Sequence, residues 1–213
     1  MMNCISTILS TSLAVVLLTS SLLAQNHMYS PTLSSGESQE IQSGELIMRE
    51  VKTQYGDGLC METIGIMEAS GETIFQVLTD YPSYPEFMST VDSVEILASK
   101  EGLVTMNYIL KPILGVSKRY RLEMVSDSLD LNVWRVSWKQ VEWAGLTELE
   151  TIADTWGSWL IIQQSKSHCL VHYSVYSDPG GVPFGLGSIV DAIGKRSMEK
   201  AYRETRQRVE LSP

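Results

Sequence analysis

Residues 168–209 read HCLVHYSVYSDPGGVPFGLGSIVDAIGKRSMEKAYRETRQRV, and this stretch decides the fold. From His168 to Ser177 the chain alternates, so that Cys169, Val171, Tyr173 and Val175 share one face of a strand. Asp178-Pro179-Gly180-Gly181 then stops the strand, because proline donates no ladder hydrogen bond and glycine permits a sharp turn. Pro183 stands where a first helical turn begins, and no proline follows it until Pro213. Phe184, Leu186, Ile189, Val190, Ile193, Ser197, Ala201 and Thr205 recur at spacings of three and four. They predict one face of a long helix, apolar at its start and small at its end. Such a helix needs a broad apolar surface to lie on, and the strands before it are the candidate.

Those strands follow one another with short breaks. Glu45 to Val51 and Leu59 to Met67 read as strands joined by a turn at Tyr55-Gly56-Asp57-Gly58. Ser70 is placed to cap a short helix that buries Ile74, Val77 and Leu78, and Asp80-Tyr81-Pro82 ends it. Tyr84-Pro85-Glu86-Phe87-Met88 starts a second short helix. Val91–Ala98, Leu103–Leu110, Ser117–Val125, Leu131–Val141 and Trp156–Gln164 read as further strands, with a loop from Glu142 to Ala153. Val104, Met106, Tyr108 and Leu110 lie on one side; Tyr120, Leu122 and Met124 repeat the pattern, as do Trp134, Val136 and Trp138. Arg119, Arg121 and Glu123, then Arg135, Ser137 and Lys139, occupy the other side, which is expected to face water. An antiparallel sheet with one apolar face must be covered on that face. The expected fold is therefore α+β: a curved antiparallel sheet wrapped around the long C-terminal helix.

The chain has 213 residues and a formal charge of −9, which disfavours nucleic acid and general attraction to anionic lipid. The first thirty residues carry no Lys, Arg, Asp or Glu, and Ile5 to Ala24 is apolar with Ser and Thr. Residues 1–24 read as a secretory signal, with an uncleaved anchor as the alternative. Export to a periplasmic or extracellular space is the expectation. Residues 25–44 are Ser-rich and read as a disordered linker, leaving 45–211 as the folded domain. Lys195, Arg196, Lys200, Arg203, Arg206 and Arg208 gather on the last helix and suit its C-terminal dipole.

Particular words in this order resemble a known superfamily. Asp80-Tyr81 followed by Tyr84-Pro85-Glu86-Phe87, Gly157-Ser158-Trp159, and Tyr173 through Asp178-Pro179-Gly180-Gly181 to Pro183 resemble the helix-grip proteins. These are the START-related lipid-binding domains, the polyketide cyclases and the birch-pollen allergen group, the SRPBCC superfamily. The resemblance spans roughly Leu59 to Val209. It implies a sheet gripping one helix around a cavity, with the first strand antiparallel to the last. Cys60 and Cys169 would then sit at opposite ends of that ladder, beyond the 4.4–6.8 Å that a disulfide spans, and stay free thiols.

The sequence holds no HExxH, CxxC, P-loop, GxGxxG or GxSxG. His27, His168 and His172 are its only histidines, and no nucleophile with a positioned base is visible. No catalytic residue, metal site or cofactor is expected. Tyr108, Tyr120, Trp138, Trp159 and Tyr173, with Phe184, Ile189 and Ile193 from the helix, are the candidate lining of a ligand cavity. Any one of them alone fits plain core, but a sheet wrapped around a single helix leaves space that one layer of side chains does not fill. The expected partner is a lipid or other hydrophobic small molecule, with no nucleic acid and the protein a monomer. The segment 111–115 is a candidate mouth loop for transient membrane contact. Two alternatives remain: an aromatase/cyclase-like enzyme using cavity tyrosines and acidic residues, and an envelope interaction module using the basic helix face.

Overall fold

Eight strands form one antiparallel sheet: β1 (Ile47–Glu50), β2 (Leu59–Met67), β3 (Val91–Lys100), β4 (Leu103–Leu110), β5 (Arg119–Asp130), β6 (Val133–Val141), β7 (Asp154–Ser165) and β8 (His168–Asp178). Their order across the sheet is β1-β2-β8-β7-β6-β5-β4-β3. The computed structural model describes residues 29–53, 56, 58–112, 115–181 and 187–212, and of residues 187–191 the backbone alone. The expected signal segment, with its anchor alternative, lies outside the described residues, as do Phe184 and the helix start at Pro183; the Ile189 side chain does too. Leu33–Pro213 forms one compact unit.

The first long strand does pair with the last. Leu59 faces Ser177 and Met67 faces Cys169, so β2 and β8 run antiparallel over nine residue pairs. Cys60 stands opposite Tyr176 at the far end, and both cysteines are free and buried. Burial raises the Cys169 thiol to about 12, and its Sγ donates to the Ala69 carbonyl over 3.3 Å.

The Ser-rich segment departs from the expected linker. It carries helix α1 (Ser35–Gln42), opened by a complete capping box. The Ser34 hydroxyl accepts from the Glu37 amide (3.2 Å), and the Glu37 carboxylate accepts from the Ser34 amide (2.7 Å). Ile41 buries against the outer side of the sheet, the side that holds the facing pair Ile47 and Ile64. The outer side carries the expected charged pairs along β5 and β6, such as Arg135–Asp127 and Lys139–Glu123, but at β1 and β2 it is partly apolar and covered by α1. Low hydrophobicity misled because one isoleucine and one cap are enough for a two-turn helix that has a sheet to lie on.

The two short helices form as expected. The Ser70 hydroxyl accepts from the Thr73 amide (3.1 Å) to cap α2 (Gly71–Thr79), which buries Ile74 and Leu78. A 3-10 turn over Tyr81–Ser83 leads into α3 (Tyr84–Phe87), with Pro85 in its first turn. The Tyr84 hydroxyl donates to the Leu78 carbonyl over 2.6 Å and ties the two together.

Helix α4 (Gly187–Glu210) has 24 residues, about 36 Å at 1.5 Å per residue. It crosses the inner face of the sheet near β2 and β8 and touches α2 and α3. Tyr202 anchors it: fully buried, it donates to the Val171 carbonyl (3.2 Å) and its ring sits 5.6 Å from that of Trp159. Gly65 of β2 allows this approach, since a Cβ there would meet the Tyr202 hydroxyl at 3.1 Å. The basic residues of α4 are largely matched. Lys195 pairs with Glu50, Arg203 with Glu199, Arg206 with Glu210 and Arg208 with Glu86. A face neutralised in this way offers little to an acidic partner, so the interaction-module alternative loses its main support.

Candidate functional site

Strand alternation delivers the site. Residues directly opposite one another in adjacent strands share a face, so Met106 and Leu122, Tyr108 and Tyr120, Met124 and Trp138, and Trp159 and Tyr173 all project inward. Helix α4 stands over them without filling the space. Between sheet and helix lies a cavity of about 570 Å³. That size suits one drug-sized ligand.

Six of the eight expected lining residues can be compared with this cavity. Tyr108, Tyr120, Trp138, Trp159 and Tyr173 line it from the sheet, and Ile193 lines it from the helix. Phe184 and the side chain of Ile189 lie outside the described residues. Trp134 shares the strand face of Trp138 but is absent from the lining; its ring packs against Gly71 of α2.

The aromatic rings are organised in two runs. Tyr84 meets Tyr108 edge-on at 6.5 Å, and Tyr108 stacks on Tyr120 at 5.4 Å. Along the other run, Trp138 lies 5.9 Å from Tyr173, which stacks on Trp159 at 4.1 Å. Offset and edge-on pairs of this kind add to what area burial contributes. Gly157 makes room for the second run, because a Cβ there would collide with the Trp138 ring and the Ser174 carbonyl.

Four methionines, Met88, Met106, Met124 and Met198, also line the cavity. Their unbranched thioethers adapt to ligands of different outline. Met106 and Met124 were visible in the alternation, on the same side as Tyr108 and Tyr120. Met88 is the residue that ends α3 and Met198 lies in α4, and no local pattern marks them.

Burial holds the phenols of Tyr84, Tyr108, Tyr120 and Tyr173 well above their ordinary pKa. They stay protonated at neutral pH and act as hydrogen-bond donors, not as bases. The Tyr108 hydroxyl points to the Met88 sulfur at 3.7 Å. Among the described residues no Asp, Glu, His or Cys lines the cavity, and no group of three or more such residues could hold a metal ion. His172 lies on the outer face, its Nε2 3.6 Å from Glu62, and burial lowers its pKa.

The wide end of the cavity opens between the β4–β5 connection, the β6–β7 loop and the β8 exit. Lys111, Val116, Leu149 and Gly181 are exposed there and also belong to the lining. The Lys118 ammonium donates to the carbonyls of Glu148 (3.0 Å) and Thr151 (2.6 Å), tying the β4–β5 connection to the β6–β7 loop.

Comparison with known proteins gives the same architecture. A sequence model of the family described as "Polyketide cyclase / dehydrase and lipid transport" matches residues 67–201, well over half of the chain. No curated protein sequence matches. Among solved structures, the STAR-related lipid transfer protein of Xanthomonas axonopodis superposes with a TM-score of 0.67 at 12% identity, over 85% of this chain and 97% of that one. Human StAR-related lipid transfer protein 5 gives 0.66 at 10% identity, over 92% and 97%. An aromatase/cyclase from Streptomyces sp. R1128 gives 0.58 at 14% identity, over 77% and 94%. At such identities the likeness is one of fold, the START-like helix grip.

Proposed function

Since the chain belongs to the polyketide cyclase/dehydrase and lipid transport family, we propose that it is an exported carrier enclosing one hydrophobic small molecule between sheet and helix. One observation carries this reading: the cavity of about 570 Å³, walled by aromatic rings and methionines. Its apolar walls would take the ligand out of water at about 25 cal/mol per Å² of apolar surface. The aromatic faces of Tyr120 and Tyr173 would pack against the ligand's apolar part. Entry would pass the open end beside Val116 and Leu149, whose apolar side chains suit brief contact with a membrane.

Cyclase-like catalysis has less support. General acid–base chemistry needs a base within reach of the substrate, and the described lining provides raised phenols and no carboxylate or imidazole. Export rests on the apolar run from Ile5 to Ala24.

Native mass spectrometry of the purified protein, followed by organic extraction, tests the carrier reading. A stoichiometric apolar adduct is expected. An apo protein that also takes up no fluorescent fatty acid or sterol overturns it. Amino-terminal sequencing of the mature protein after cell fractionation tests export; a cytoplasmic chain starting at Met1 overturns that part.

A further inference from the structure

The charge in the described cavity lining is opposite to that of the molecule, with the Glu148 carboxylate beside Gly181 at the rim. The chain carries 25 acidic and 16 basic residues, yet the described cavity lining contains two lysines, Lys111 and Lys118, and no carboxylate. Both are on the β4–β5 connection, and the Lys111 amide donates to the carbonyl of Thr90, another lining residue, over 2.9 Å. The remainder of the wall, from Leu122 and Met124 to Met198, is mostly apolar or aromatic, with the Thr155, Ser197 and tyrosine hydroxyls as its uncharged polar groups. Charge in the described lining is thus confined to the two lysines.

Lys118 is held in place by uncharged groups. Its two hydrogen bonds go to backbone carbonyls, and among the described residues neither lysine enters an ion pair. An ammonium has three donors, so one remains on Lys118 after the two carbonyls. Partial burial lowers its pKa, which an arriving anion would reverse. A cation fixed by dipoles rather than by a carboxylate keeps its charge available for a ligand. Resting on the carrier reading above, we infer that the ligand is an amphiphile with a single anionic head, carboxylate or phosphate, held at Lys111 and Lys118 while its apolar chain runs inward toward Trp159 and Met198.

Three sixteen-carbon probes that differ only in the head test this: hexadecanoate, monohexadecyl phosphate and hexadecanol. Trp138 and Trp159 in the cavity wall report binding through intrinsic fluorescence. The wild-type protein is expected to bind at least one anion about tenfold more tightly than the alcohol, the order of one hydrogen bond to a charged group at a partly wet site. Whichever anion leads identifies the head. In Lys111→Gln/Lys118→Gln that preference should fall to about twofold or less while hexadecanol affinity holds. Lys111→Gln alone, at an exposed position, should lower the preference in part and leave folding intact. Equal binding of anions and alcohol by the wild type overturns the inference and leaves the carrier reading standing. A preference that survives in a folded double variant also overturns it. Binding of none of the three sinks both.

Discussion

Trp159 and Tyr173 lie directly opposite each other on β7 and β8, their rings stacked with 4.1 Å between centroids and 22° between planes. The same indole is 5.6 Å from Tyr202 of α4. One side chain therefore joins the sheet, the grip helix and the cavity wall. Trp159→Ala should destabilise the fold by about 3–5 kcal/mol, the range for large aromatic truncations in a core. Trp159→Phe, which keeps the stack, should lose clearly less. Urea unfolding followed by circular dichroism measures both, and equal losses would show that the stack is not what matters.

Gly157 sits two residues before that tryptophan and opposite Trp138. Its missing Cβ is what lets the Trp138 ring lie along the strand. Gly157→Ala should cost about 1–3 kcal/mol by overpacking, although alanine is otherwise no worse than glycine in a strand. A lowered urea midpoint with an unchanged slope is the expected readout.

Gly194 is the opposite case. It lies in α4, lines the cavity, and has no atom within 4 Å of where a Cβ would stand. Gly194→Ala should stabilise by about 0.5–1 kcal/mol through helix propensity. Gly194→Phe should fill the cavity instead and reduce uptake of a fluorescent fatty acid with little change in stability. A thermal melt and a binding titration separate the two effects. An unchanged titration in the phenylalanine variant would place the ligand elsewhere.

The buried phenols fix the alkaline limit. Tyr84, Tyr108, Tyr120, Tyr173 and Tyr202 all titrate above the ordinary value of 10.0, with burial as the largest cause. Above pH 10 the unfolded chain therefore releases protons that the folded chain still holds. Stability from these groups is complete below that pH and is lost as pH rises past it. Absorbance at the phenolate band should show a fraction of the tyrosines ionising only together with unfolding. Smooth titration of all tyrosines near pH 10 in a folded protein would contradict their burial.

The inner face of the sheet was legible because alternation has a period of two, and one apolar residue in register fixes all the others on its strand. Tyr108, Tyr120, Trp138, Trp159 and Tyr173 reached the cavity for that reason. Trp134 carries the same parity, yet distance along the strand, which parity does not encode, puts it under α2. Lys111 fell within the expected mouth loop 111–115, whereas Lys118 was unreadable as a site residue because its placement depends on loops meeting across the open end. Helix α1 was hidden by its serines, though Ser34 and Glu37 already stood at capping-box spacing.

The ladder between β2 and β8 has one more outcome. Its register sets Cys60 and Cys169 apart by the seven steps from Cys60–Tyr176 to Met67–Cys169, about 24 Å at 3.4 Å per residue. Folding of the described domain therefore contains no oxidation step, and it asks nothing of a disulfide-forming machinery. The described domain can mature identically in a reducing or an oxidising compartment. Dithiothreitol should leave its melting temperature unchanged, and protein refolded from a reducing host should be the native species.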